Sequence, residues 1–324
     1  MKMKKWIRTT ITATVLCLGL LLAGICTASA QSYQRWDTLD QNELAAKREG
    51  QLLFGTTKAN GRAWQKINGV CYNGSGVAIP GAITRGIDVS EWQGTINWQK
   101  VKNSNVDFAF VRIAYGSNYL DKTYDYNMQQ AELAGMPVGT YVYSTATTPA
   151  MALREAKLAI QKMDGYKVSY PVVYDLEYSQ MGQLSPKQVA KLAVVFCNEV
   201  KKAGYYPMVY CNTNWYDNEV DWSYLNGIDV WIARYGDTIQ APSSSSYDYT
   251  IWQATDGDGG GTLNSTAGLI SGIPSGNNVD IDFGYVDYTK IITPRWSAVS
   301  TYEPSATPDL DWDDSDVSTG KNGW

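Results

Sequence analysis

Tyr170-Pro171-Val172-Val173-Tyr174-Asp175-Leu176-Glu177 is an apolar run that ends in two carboxylates. It reads as a buried strand, and strand side chains alternate, so Asp175 and Glu177 share one face. Each negative charge raises the cost of the other, and that coupling makes one of the two a proton donor near neutral pH. The chain contains no histidine at all. That absence excludes Ser-His-Asp and Cys-His nucleophile systems, the His-Glu-x-x-His zinc site and imidazole bases, so acid–base work falls to carboxylates.

Outward from this strand, short apolar segments alternate with connectors and begin near Gly86, Asp107, Pro137, Tyr170, Pro207, Asp229, Tyr249 and Asn278. Thr148-Pro149 and Ser185-Pro186 each offer an N-cap followed by proline at the first helical position. The second of these helices presents Val189, Leu192, Phe196 and Val200 at helical spacing and stops at Gly204. Alternating strand and amphipathic helix predicts a parallel sheet, and eight such strands predict a closed, TIM-like α/β barrel. Past the fifth strand the helical pattern fades, so an irregular, strand-rich second half with hairpin-like connections is expected.

Composition and the flanks set the surroundings of this barrel. A chain of 324 residues with 44% hydrophobic and 18% charged residues is expected to hold one domain of roughly 200 residues plus flanking segments. Lys2, Lys4, Lys5 and Arg8 precede an apolar stretch from Ile11 to Cys26, and Ala28-Ser29-Ala30 offers a cleavage site, so residues 1–30 read as a signal peptide or an uncleaved anchor. Either reading places the remainder outside the cytoplasm, secreted or at the cell surface, with membrane contact only if the segment is retained. Cleavage would take the formal charge from −5 to −9, which argues against a nucleic-acid partner. Residues 31–83 read as a linker with an Asn-Gly hairpin around Ile67-Asn68-Gly69-Val70, faintly similar to one unit of a cell-wall-binding repeat. Residues 291–324 read as an acidic, disordered tail, with Asp309, Asp311, Asp313, Asp314 and Asp316 among Pro, Ser and Thr. Neither that tail nor Asp256-Gly257-Asp258-Gly259-Gly260-Gly261 has the glycine-turned loop and closing Glu of a calcium site, and no metal or cofactor is expected. Outside residues 1–30 only Cys71, Cys197 and Cys211 remain; a Cys197–Cys211 bridge is conceivable, and buried free thiols are the simpler reading.

Barrel active sites lie at the C-terminal strand ends, so acids there are the candidates. Asp88 lies in the first strand, Asp175 and Glu177 end the fourth, and Asp280 and Asp282 lie in the last, which neighbours the first in a closed barrel. Carboxylates converging on one mouth would include the protonated acid that acetal cleavage needs, and such pairs are the working parts of glycoside hydrolases. Any one of these acids is also explained as a strand-end turn residue. Trp92, Tyr115, Tyr141, Tyr143, Tyr174, Tyr178, Tyr210, Trp231, Tyr235 and Trp252 lie in or just after strands, where flat apolar faces with polar tips suit sugar rings; core filling explains many of them equally well.

Several ordered motifs now stand together: Gly86-Ile87-Asp88-Val89-Ser90 with Gln93-Gly94, Asp107-Phe108-Ala109-Phe110-Val111-Arg112, Gly139-Thr140-Tyr141, Asp175-Leu176-Glu177, Trp231-Ile232-Ala233-Arg234-Tyr235, Trp252-Gln253 and Val279-Asp280. In that order they resemble the glycoside hydrolase family 25 lysozymes, the Chalaropsis-type muramidases, over residues 84–290. The resemblance implies a (β/α)5(β)3 barrel that hydrolyses the β-1,4 bond from N-acetylmuramic acid to N-acetylglucosamine in peptidoglycan. It further implies Glu177 as general acid/base, Asp175 as nucleophile or as the group that orients the substrate's acetamido, and Asp88 and Asp280 as acids that hold the sugar and tune Glu177. Tyr141, Tyr143, Trp231, Trp252 and Gln253 are the expected substrate-binding residues, and a monomer acting on peptidoglycan glycan strands is expected. The chain departs from the family at Val142, where many members place a histidine, so any substrate contact of that histidine would be missing; the stretch Gly257 to Gly276 is also longer than usual. The competing reading is a non-catalytic cell-wall carbohydrate-binding barrel, for which an acid pair has no use. A surface adhesion protein is a third reading, and metal-dependent glycan deacetylation is disfavoured by the missing histidines.

Overall fold

Asn68 and Gly69 make a turn, with φ of 51° and 82°. Two successive positive φ values define the tight turn that Asn-Gly favours, and it joins β1 (Lys66–Ile67) to β2 (Val70–Cys71). The expected hairpin is therefore present. A computed structural model describes residues 62–235, 241–257, 266 and 268–306. The signal or anchor segment, residues 31–61 and the aspartate-rich end from residue 307 lie outside the described residues.

One closed sheet follows, built from β3 (Thr84–Val89), β4 (Phe108–Tyr115), β6 (Val138–Tyr143), β7 (Val172–Asp175), β8 (Pro207–Asn212), β9 (Asp229–Ala233), β10 (Ile251–Thr255) and β11 (Asp280–Gly284). Short β5 (Tyr119–Leu120) folds back on the end of β4. The first five barrel strands are each followed by a helix: α1 (Trp98–Lys102), α2 (Tyr124–Leu133), α3 (Pro149–Met163), α4 (Pro186–Lys202) and α5 (Thr213–Asn218). The last three strands have no α-helix between them among the described residues, as the fading helical pattern predicts. Thr148 caps α3 by accepting from the Met151 amide, and Ser185 with Gln188 forms a reciprocal capping box on α4. Val189, Leu192, Phe196 and Val200 are fully buried against the sheet.

Apart from β5, which is antiparallel to β4, strands β3 to β10 run parallel, and β11 runs antiparallel to both neighbours. The hairpin-like connections expected of the second half are thus confined to its last step, β10 to β11, because β8, β9 and β10 stay parallel. Asp280 reaches the mouth because it begins a reversed strand, not because it ends a forward one. Its register partner is Asp88.

The flanks also differ from expectation. Trp64 is fully buried against the outside of the barrel, 6.4 Å from both Trp252 and Phe283. From Trp64 onward the presumed linker is thus part of the folded unit. At the other end, Val168 and Arg295 exchange two backbone hydrogen bonds, Val299 N–H donates to the Ala203 carbonyl, and Glu199 accepts from Tyr302 Oη at 2.8 Å and Ser305 N–H at 2.9 Å. Residues 291–306 are accordingly a docked strap rather than the start of a solvated tail. Cys71, Cys197 and Cys211 are free and buried.

Candidate active site

Inside the barrel, alternation turns Phe108 and Phe110 of β4 toward Tyr170, Trp231 and Tyr288. Phe108 stacks on Tyr170 at 4.6 Å and Phe110 on Trp231 at 4.7 Å. Two glycines make room for these rings. A Cβ at Gly86 would fall 2.2 Å from Phe108, and one at Gly139 would fall 2.4 Å from the Pro171 carbonyl oxygen. The result is a dry aromatic floor. Carboxylates directly above it are deprived of water, which disfavours their charged forms.

The acids gather on that floor. Asp282 is fully buried and accepts from Trp231 Nε1 at 2.9 Å, while its Oδ2 has no partner among the described residues. Asp88 accepts from Gln253 Nε2 at 2.7 Å and shares a hydrogen bond with Asp280. Gln253 is fixed from its other end, since its Oε1 accepts from Tyr210 Oη at 2.6 Å and from Tyr235 Oη. Asp175 is buried, and its Oδ1 likewise has no partner among the described residues. Glu177, two residues past it and beyond the end of β7, is half-buried.

Burial pushes all five acids upward, and repulsion from neighbouring carboxylates adds to it for Asp88, Asp175, Asp280 and Asp282. Asp88 is raised to about 7, chiefly by burial and against the hydrogen bonds it receives. Asp175 is raised by burial, then by the negative charges of Glu177 and Asp88. Burial also raises Glu177, Asp280 and Asp282. Arg112 is the opposing charge: it lies on the inward face of β4 with Phe108 and Phe110, and it lowers both Asp88 and Asp175. Asp121 holds it through Nε at 2.9 Å and Glu91 through Nη2 at 3.4 Å. Such a cluster retains protons near neutral pH and can deliver one to an ether oxygen.

The structure brings Asp88, Asp175, Glu177, Asp280, Tyr141, Tyr143 and Gln253 to this mouth, and it separates the two tryptophans. Trp231 lies in the floor, 2% exposed, with its indole N–H committed to Asp282. Trp252 faces out of the barrel, because its neighbour Gln253 faces in; it packs against Trp64 and Phe283 and donates to the Arg234 carbonyl. Trp252 therefore does not line the mouth. Val142 also faces the outer core, between inward Tyr141 and Tyr143, so a side chain at this position meets the helix layer instead of a substrate. Tyr210 and Tyr235, expected among the strand-end aromatics, hold Gln253 here, and Arg112 is the site residue that the sequence reading missed. Arg112 was legible: it falls in phase with Phe108 and Phe110 on one strand face.

Residues 87–259 match the family described as Glycosyl hydrolases family 25. The chain belongs to that family. Among relatives of this family 25 chain, YegX of Escherichia coli K12, described as uncharacterized, is 29% identical over 187 residues, 56% of this chain and 66% of that one. An autolytic lysozyme of Clostridium acetobutylicum is 28% identical over 203 residues, 62% of this chain and 60% of that one. The chain thus spans less than two thirds of the length of these relatives. The modular autolysin LytC of Streptococcus pneumoniae superposes with a TM-score of 0.54 at 25% identity, over 68% of this chain and 52% of that one.

Proposed function

We propose that this family 25 chain is a lysozyme that hydrolyses the β-1,4 bond between N-acetylmuramic acid and N-acetylglucosamine in peptidoglycan. One observation carries the reading: Asp175 is buried beside Glu177 with one carboxylate oxygen unpartnered among the described residues, over an aromatic floor. A buried acceptor without a donor is costly, and an N-acetylated sugar offers an amide N–H to satisfy it. Glu177, half-buried with its carboxyl raised, protonates the glycosidic oxygen as the C–O bond breaks. Positive charge then develops at the anomeric carbon, where Asp175 either attacks directly or orients the acetamido group that does. Glu177, now ionised, takes a proton from the incoming water. Asp88, Asp280 and Gln253 hold the sugar, and Tyr141 and Tyr143 flank it. Family membership and a relative named autolytic lysozyme support the same reading.

All of these groups come from one chain, which supports a monomer. The signal-like residues 1–30 support action outside the cytoplasm, secreted or at the cell surface. Glu177→Gln tests the assignment: lysis of purified peptidoglycan is expected to fall by roughly two to four powers of ten with no fall in the melting temperature. Mass spectrometry of the wild-type digest should find muramic acid at the reducing end. A variant that clears peptidoglycan at the parental rate, or a reducing-end glucosamine, rejects the proposal.

A further inference from the structure

An aromatic wall rises from the acid pair on the β4 side of the mouth. Arg112 pairs with Tyr141 and Ala114 pairs with Val142, so Ile113 is one residue too many for the ladder, a β-bulge. Ile113 and Ala114 are both buried in the outer core. Strict alternation from Arg112 would turn Tyr115 outward. The bulge instead sets Tyr115 opposite Tyr143, where the two rings stack at 4.6 Å and 15°. Tyr143 is the register partner of Asp175, and it is raised by burial and then by the negative charges of Glu177 and Asp175, so the stack starts at the acid pair. Tyr178, next to Glu177 in sequence, meets Tyr115 edge-on at 6.5 Å. Tyr115 stays 41% exposed.

The wall is anchored. The chain turns at Gly116, where φ is 62° and a Cβ would fall 2.3 Å from Thr145 Oγ1, and returns as β5. Tyr119 of β5 donates to Glu91 at 2.8 Å, and Lys122 lies 5.5 Å over its ring while pairing with Glu91 at 3.2 Å. Tyr115 shares this braced edge with Tyr119 and Leu120, exposed by 40% and 41%, so it belongs to a group of exposed large side chains that core filling does not explain.

We infer that Tyr115, flanked by Tyr178, is a subsite for a further pyranose ring of the glycan strand, adjoining the ring held at Asp175 and Glu177. This inference rests on the hydrolase reading and deepens it by assigning where the strand continues. A pyranose has an apolar C–H face and a hydroxylated rim, which match the flat face and polar tip of tyrosine. An acidic stem peptide fits less well, since the nearby Lys122 is already engaged by Glu91.

The test uses the full-length Glu177→Gln protein and peptide-free peptidoglycan oligosaccharides of two to six sugars, with affinities from NMR titration. Adding Tyr115→Ala should weaken six-sugar binding roughly five- to tenfold and leave two-sugar binding unchanged, and Tyr115→Trp should restore it. Tyr178→Ala should give a smaller loss with the same length dependence, and serves as the second variant if Tyr115→Ala unfolds. No loss at any length, an equal loss at every length, or a loss only with peptide-bearing strands overturns the subsite. Parental lysis rates in Glu177→Gln alone would instead reject the hydrolase assignment.

Discussion

Asp88 shows how the barrel sets the protonation of its acids. An unfolded aspartate ionises near 3.8, whereas Asp88 in the fold ionises at about 7. Between those pH values the native state holds a proton that the unfolded chain lacks. Its contribution to stability is therefore complete below about pH 4 and is lost as the pH rises through 7. Asp88→Asn removes this dependence, keeps an acceptor for Gln253 and is expected to be more stable than the parent at pH 7.5 by about 1–3 kcal/mol, with the gain gone at pH 4. Urea unfolding at the two pH values checks this; equal effects at both would reject it. Asp88, Asp175, Glu177 and Asp280 were all legible as acids near strand ends. That adjacent Trp252 and Gln253 could not both face the mouth was legible from strand alternation, but only contacts decide which of the two points inward.

At the scale of elements, inward glycines decide how closely strands and rings approach. Gly139 of β6 sits where a methyl group would fall 2.4 Å from the Pro171 carbonyl oxygen and 2.5 Å from the Phe110 ring. Backbone cannot yield as a side chain can, so Gly139→Ala is expected to cost about 3 kcal/mol. Thermal denaturation should show a fall of roughly 10 °C, and a fall below 2 °C would show that the floor is loosely packed. Strand starts and both proline-led helix starts were readable, because caps and apolar runs are local signals. Hairpin-like connections were expected past the fifth strand, but which strand reverses was not readable, since an apolar run has no direction. The Ile113 bulge was also hidden, because it is a mismatch between two strands and not a property of either.

For the whole molecule, the flanking segments prove part of the barrel's support. Trp64 is fully buried on Trp252 and Phe283, on the outer side of the sheet from the acids. Trp64→Ala is expected to lower stability by about 3–5 kcal/mol while leaving the lytic rate at low temperature unchanged, as unfolding curves and peptidoglycan turbidity would report. Residues 84–290 alone, lacking Trp64 and the Arg295–Val168 pairing, should be less stable still. By itself the sequence determined the eight barrel strands, the two proline-led helices, the acid pair on one strand and the exclusion of histidine chemistry, because these depend on residue type and short spacing. Only the tertiary structure decided strand polarity, the pairing of Asp88 with Asp280, the burial of Trp252 and the docking of both flanks. Those features arise from contacts between segments far apart in the chain, where closure of the barrel and exclusion of water, and not local preference, select the arrangement.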